Sequence, residues 1–419
     1  MKLFTSKYLM SLLIVGGIIF VFQSYTKVST LQYTSAFADT KGGYGGKIIK
    51  VTNLNANGPG SFYEAVRSKG KRIIVFEIAG VIDMKQKLIT IRDPYLTIAG
   101  QTAPSPGITI INGGILVSSH DVIIQHIRVR PGNNLIKKIW SIDGLSTKGA
   151  VNVIIDHCSF SWASDENLSA SGPRFEGKTP NDWRRNTSRR ITFSNNVISE
   201  GLRYSTHKFG EHSKGTLIHD NVTGVLIKGN LYAHNMDRNP YLKGGTSGII
   251  INNFIYNPGK AAIRYMLAEK EWLMKEKQIG RWTILGNVMQ LGPDSENISL
   301  LDVRNGPCEL FLQDNLAFNL DGSKAHIYSG DKNKIVTSRS IWIEDLDVVS
   351  SKSVKSQILE NAGARPWDRD VVDKRILEDI KTLKGRIIDN EGEVGGYPKV
   401  KEVRKAFNSK EWDFKYLHK

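Results

Sequence analysis

The sequence predicts an all-β protein built as a right-handed, single-stranded parallel β-helix, a solenoid with a short N-terminal capping helix and a C-terminal helix. Three observations predict it. From about Lys47 to Phe318, short β-branched and aromatic runs alternate with glycine, asparagine and charged loops, and the helical period is nearly absent. Seven octets recur in that stretch: VIIQHIRV from Val122, VIIDHCSF from Val153, ITFSNNVI from Ile191, VLIKGNLY from Val225, GIIINNFI from Gly248, WTILGNVM from Trp282 and LFLQDNLA from Leu310. Their starts lie 31, 38, 34, 23, 34 and 28 residues apart, too long for the hairpins of a two-sheet sandwich. With no helical segment read between octets, leucine-rich repeats are disfavoured as well. Finally, every octet has an apolar third position, and five of the seven carry asparagine at the sixth: Asn196, Asn230, Asn253, Asn287 and Asn315. Asparagines at one register of successive strands can hydrogen-bond to one another, as in the side-chain ladders of stacked sheets. In a solenoid of this kind, variable loops leave one side of each coil.

The elements follow in order. Residues 1–38 carry Lys2 and Lys7, an apolar run from Tyr8 to Phe22 and the small-residue triplet Ala36-Phe37-Ala38. This pattern fits a secretory signal, with an uncleaved membrane anchor as the alternative. Ser61 to Ser68 (SFYEAVRS) reads as a short helix over the first coil. Residues 39–350 form the solenoid and 351–419 a C-terminal helix and tail packed on it. In that last segment Asp370 to Leu383 carries Val371, Val372, Ile376, Ile380 and Leu383 on one side of an amphipathic helix. Both helices are read as end caps, which an open solenoid needs. Glu391 to Pro398 reads as a surface strap. Cys158 and Cys308 sit about five coils apart, roughly 24 Å at the strand spacing, which excludes a disulfide; both read as buried small hydrophobes.

Charge narrows the partner. The 419 residues hold 57 Lys plus Arg against 41 Asp plus Glu. Removing Lys2, Lys7 and Lys27 with the first 38 residues leaves 54 against 41, still +13. An anionic partner is therefore expected, and export makes nucleic acid a poor choice. Two cysteines exclude a disulfide scaffold or a thiolate metal site. The best candidate chemistry lies in three loops of neighbouring coils. Asp143, Asp165 and Glu166 could converge on a hard cation such as Ca²⁺. Lys214, Arg238 and Lys243 follow within one or two coils, an arrangement that suits a carboxylated sugar. The cluster Gly42 to Gly46 lacks the form of a phosphate loop, and no Gly-x-Ser-x-Gly elbow occurs. His207 and His212 lack a zinc motif and are read as loop residues.

Several segments then resemble one family. NVIIDHCSFSWASDENLS, RITFSNNVISEGL, NLYAHNMDRNPYLKGG and IIINNFIYNPG are similar to the pectate lyases of polysaccharide lyase family 1. VTNLNANGPGSFYEAV, LTIAGQTAPSPGITI, ARPWDRDVVDKR and VGGYP resemble the flanks of its shorter bacterial members. The resemblance implies calcium-assisted β-elimination of polygalacturonate by a secreted, monomeric enzyme. Asp143 matches the first calcium-binding aspartate and Arg238 the base. Lys214 matches a substrate-binding lysine, and Lys243 stands where the family often has arginine. The second calcium segment departs from the longer enzymes: where they have two acids four residues apart, Asp165 is followed here by Ser169, and the adjacent acid is Glu166. An arginine base must be neutral, and Lys214 and Lys243 are expected to favour that form. The alternatives are a lyase for methyl-esterified pectin or another uronate, a non-catalytic carbohydrate-binding solenoid, and an adhesin or purely structural solenoid.

Overall fold

The computed structural model describes residues 37–133 and 140–413. The apolar run Tyr8–Phe22, and with it nearly all of the proposed signal or anchor, lies outside the described residues; among those described, no helix is long and apolar enough to cross a membrane. Three parallel sheets of ten, ten and nine strands wind into a right-handed β-helix, the second carrying one short antiparallel edge strand from the C-terminal tail. One coil illustrates the path. Val151–Asp156 lies in the first sheet, Ser159–Ser161 in the second and Glu166–Ser171 in the third, and the chain returns to the first at Arg189–Ser194.

The octets mark the corner between the first and second sheets. Their fifth residues, His126, His157, Asn195, Gly229, Asn252, Gly286 and Asp314, all have φ between 49° and 68°. Histidine, asparagine, aspartate and glycine tolerate this left-handed conformation best, so the corner is written into the sequence by residue type. The third positions form one column, in which Ile124, Ile155, Phe193, Ile227, Ile250, Ile284 and Leu312 are paired in register. All but the last are fully buried in the main core.

The sixth-position asparagines stand at the corner, just past the strand end, rather than inside strands. Each buried amide spans the coils. Asn196 Nδ2 donates to Asn230 Oδ1 (2.9 Å), Asn230 to Asn253 (2.9 Å), Asn253 to Asn287 (2.9 Å) and Asn287 to Asn315 (3.1 Å). The same carbonyl oxygens accept backbone N–H groups of the coil before, ending with Cys158 N–H on Asn196 Oδ1 (2.8 Å). Cys158 thus occupies the register without extending it; Cys158 and Cys308 are both free and buried.

The helices refine the expectations. Helix α1 (Phe62–Arg67), capped by Ser61, buries Phe62, Ala65 and Val66 against the first coils. Two short helices do occur between octets, α2 (Pro180–Asn186) and α3 (Glu269–Trp272), both on loops leaving the third sheet. Their lengths, seven and four residues, carry too little periodicity to be read from the sequence. Helix α4 (Ser351–Asn361), with α5 (Val371–Thr382), lies along the second sheet rather than over an end. Val354, Ile358, Val372, Ile376 and Ile380 pack with Trp162, Val197, Leu231, Phe254 and Tyr256. Arg130, fully buried, is held there by Asp370 (2.5 Å) and Asp373 (2.8 Å) of the C-terminal segment. The strap crosses the same wall, where the Tyr397 hydroxyl donates to Pro131 O (2.8 Å).

Replacing Asn253 by Ala in the middle of the ladder removes the acceptor of the Asn230 N–H and side-chain amide and the donor to Asn287 Oδ1, and should destabilise the protein by about 3 kcal/mol. Asn315→Ala, at the half-buried end of the ladder, should cost less; denaturant midpoints of both variants check the order.

Candidate active site

Neighbouring strands of the third sheet place four candidate residues side by side at their starts. Leu145 pairs with Leu168 and Leu168 with Thr216, so Asp143 and Glu166, each two residues earlier, share a register; Glu166 pairs directly with Lys214. Lys214 in turn bridges to Asp237, beside Arg238. Two glycines allow the coils to close here: a Cβ on Gly144 would meet Asn167 O at 2.5 Å, and one on Gly215 would meet Arg238 O at 2.5 Å.

The acids converge as expected. Asp143, Asp165 and Glu166 each offer a carboxylate oxygen within 4.8 Å of the others. Asp143 accepts the Glu166 N–H (3.2 Å) and the Ser169 hydroxyl (2.8 Å), so Ser169 serves as a neutral partner where a second acid would add charge. Burial first, and the Asp165 carboxylate second, push the Asp143 carboxyl up to about 7. Burial would raise Asp165 too, but the bond from His212 (2.8 Å) and the charges beside it hold that carboxyl below its ordinary value. An oxygen-only trio with crowded negative charge fits a hard divalent cation such as Ca²⁺. Asp165 also borders a second donor set: His207 and His212 stack at 3.6 Å and both turn Nε2 toward it. The two loop histidines therefore orient a candidate ligand, which their sequence spacing alone does not reveal.

Arg238 reaches across the coil to pair with Glu166. Its backbone is left-handed, φ 64°, an unusual conformation for a long side chain, and the N–H is held by the Asp237 carboxylate (2.7 Å). Burial is the foremost cause acting on the guanidinium and lowers its pKa, against the opposing pull of Asp165, Tyr241 and Asp143. Lys214 lies 3.7 Å from Asp237. Lys243 is buried between Asp220 (3.2 Å) and Glu271, in a knot completed by Arg174 and by the Trp272 indole on Asp220.

Sequence reasoning missed a second asparagine ladder behind these groups. Asn167, next to Glu166, donates to Asn235 Oδ1 (3.1 Å), and Asn235 donates to Asn239 Oδ1 (3.0 Å), next to Arg238. Asn235 Oδ1 also accepts the Gly201 N–H (2.9 Å). All three are buried. The signal was available, since all three asparagines lie within segments that carry the resemblance, Asn167 in NVIIDHCSFSWASDENLS and Asn235 and Asn239 in NLYAHNMDRNPYLKGG.

Comparison with known proteins decides the lineage. No family model matches the chain. A probable pectate lyase C of Emericella nidulans is 31% identical over 365 residues, 86% of this chain and 77% of the relative. Its counterpart in Neosartorya fischeri is 30% identical over 375 residues, 86% and 79% of the two chains. The chain belongs to the pectate lyase family. Solved structures support the fold of this lyase. A pectate lyase bound to hexasaccharide superposes with TM-score 0.55 at 15% identity, covering 81% of this chain and 99% of that one. A Bacillus subtilis pectate lyase variant gives 0.53 at 16%, covering 78% and 96%. The lyase is thus a polysaccharide lyase of β-helix architecture, as its octets indicated.

In this lyase, Lys243→Met would leave the buried Asp220 carboxylate short of a counter-charge. We expect a loss of about 3 kcal/mol in stability with the KM for a short galacturonate substrate unchanged; a raised KM at native stability would instead place Lys243 on the substrate.

Proposed function

We propose that the protein cleaves α-1,4-linked polygalacturonate by β-elimination, with Arg238 as the base and Ca²⁺ held by Asp143, Asp165 and Glu166. The observation that carries this reading is the meeting of the three carboxylates with a desolvated arginine bound to one of them. A calcium ion bound there supplies positive charge to the uronate carboxylate and so acidifies the C5 proton. Arg238, in its neutral form, takes that proton; the C5–H electron pair forms the C4–C5 double bond, and the 4-linked oxygen leaves with the bond's electrons and is protonated. Lys214, at the same end of the neighbouring strand, is placed to hold a uronate carboxylate through its ammonium group. Glu166 links the two halves of the site. Paired with Arg238, Glu166 stabilises the charged guanidinium; were it also to hold a cation, that stabilisation would weaken and the neutral form would be favoured.

His207 and His212 keep Asp165 turned toward the site, and the asparagine ladder ties Glu166 to Arg238 across the intervening coil that carries Lys214. On the same reading the enzyme is exported and acts as a monomer, a reading supported by the leader-like sequence of residues 1–38 and by a polymeric substrate.

Arg238→Ala should lower formation of unsaturated product from polygalacturonate by at least about 10³-fold, read by ultraviolet absorbance; retained activity rejects the arginine as base. A chelator should abolish activity of the unmodified protein and added Ca²⁺ restore it, whereas full activity in chelator would point to a lyase that uses no metal.

A further inference from the structure

Beyond the far end of the strand Tyr241–Leu242, at the corner from the third sheet to the first, lies a cavity of about 320 Å³ that the proposed chemistry does not use. Four arginines line it: Arg184 from α2, Arg189 and Arg190 at the start of a first-sheet strand, and Arg281 three coils further on. No acid among the described residues lines it. Arg281 pairs with Glu309 at 2.9 Å. Arg184 meets only the neutral Gln278 amide (3.3 Å), Arg189 the Arg185 carbonyl (2.5 Å) and Arg190 the Phe37 carbonyl (3.2 Å).

Such a gathering is costly unless something anionic completes it. Burial first, and then the Arg281 charge, lower the pKa of Arg184; burial, Arg190 and Arg185 do the same to Arg189. Two buried polar atoms at the cavity, Arg184 Nε and Ser340 Oγ, have no hydrogen-bond partner among the described residues. Guanidinium forks of this number match planar carboxylates. Ile279 and Ile341 supply apolar wall beside them, which a bare inorganic anion would not use but the carbon face of a sugar ring would.

We propose that this arginine cleft is a second binding site for the acidic polysaccharide, holding galacturonate carboxylates away from the reacting bond. The inference rests on an acidic polysaccharide being the substrate. Arg238 and Gly245, on the rim of the cleft, are seven residues apart along one coil, at most about 23 Å for extended chain. One polymer held at both places would dissociate more slowly than from either alone.

The test uses the full chain. With Arg238→Ala in chelator, calorimetric titration with trigalacturonate should show binding that the added pair Arg184→Gln and Arg189→Gln weakens by about 10-fold or more. On an otherwise unmodified background the same pair should raise KM for polygalacturonate about 5-fold while leaving turnover of trigalacturonate unchanged. Arg190→Gln alone should give a smaller shift of the same sign, which covers the case in which the double variant does not fold. Unchanged trigalacturonate affinity in the arginine variants overturns the proposal, as does binding of inorganic sulfate alone. Unsaturated product from Arg238→Ala would reject the catalytic reading and leave the titration to be judged by itself.

Discussion

Everything in this molecule depends on successive coils turning the same corner at the same height. A parallel coil one residue out of step would reverse which side chains face the core. The corner prevents this in two ways at once. A left-handed residue makes the bend, and the asparagine after it donates to the next coil and accepts from the last. Because the amide is buried, a slipped coil would strand its donors without water to replace them. The isoleucine column inside the coil adds hydrophobic stabilisation, but it tolerates exchange; the amide column specifies register.

The same device recurs at the site. The ladder of Asn167, Asn235 and Asn239 sits at the corner entering the third sheet, and each of its outer members adjoins a residue of the proposed site, Glu166 or Arg238. Carboxylates and a guanidinium on separate coils repel or attract one another strongly at this depth. Without rigid backbone they would relax away from the arrangement that crowds three acids together. The stacked amides therefore convert the stability of the solenoid into the electrostatic tension of the site.

Much of this was legible in the sequence. The octets reveal the solenoid because residue types tolerant of positive φ, apolar columns and asparagines recur together. Asp143, Asp165, Glu166 and Arg238 were found and do converge. What escaped has physical reasons. The asparagines look like strand residues because the corner is only two residues long. The seven-residue α2 and four-residue α3 are too short for a period. The helix Asp370–Leu383 shows its apolar side but not what it covers, since that surface is assembled from several coils far back in the chain. Lys243 matches a motif by position, yet its surroundings are set by Asp220 and by Glu271, whose proximity no local pattern announces.

The salt link of Arg130 to Asp370 and Asp373 has a further consequence for how the chain is made. Arg130 belongs to an early coil, and its partners are some 240 positions later. While the chain is being synthesised, the early coils can stack, but their wall carries an unmatched guanidinium and the bare Trp162 surface until the last helix arrives. The solenoid thus grows from its beginning yet is sealed from its end, so the first third of the protein reaches its final stability only after the ribosome has nearly finished.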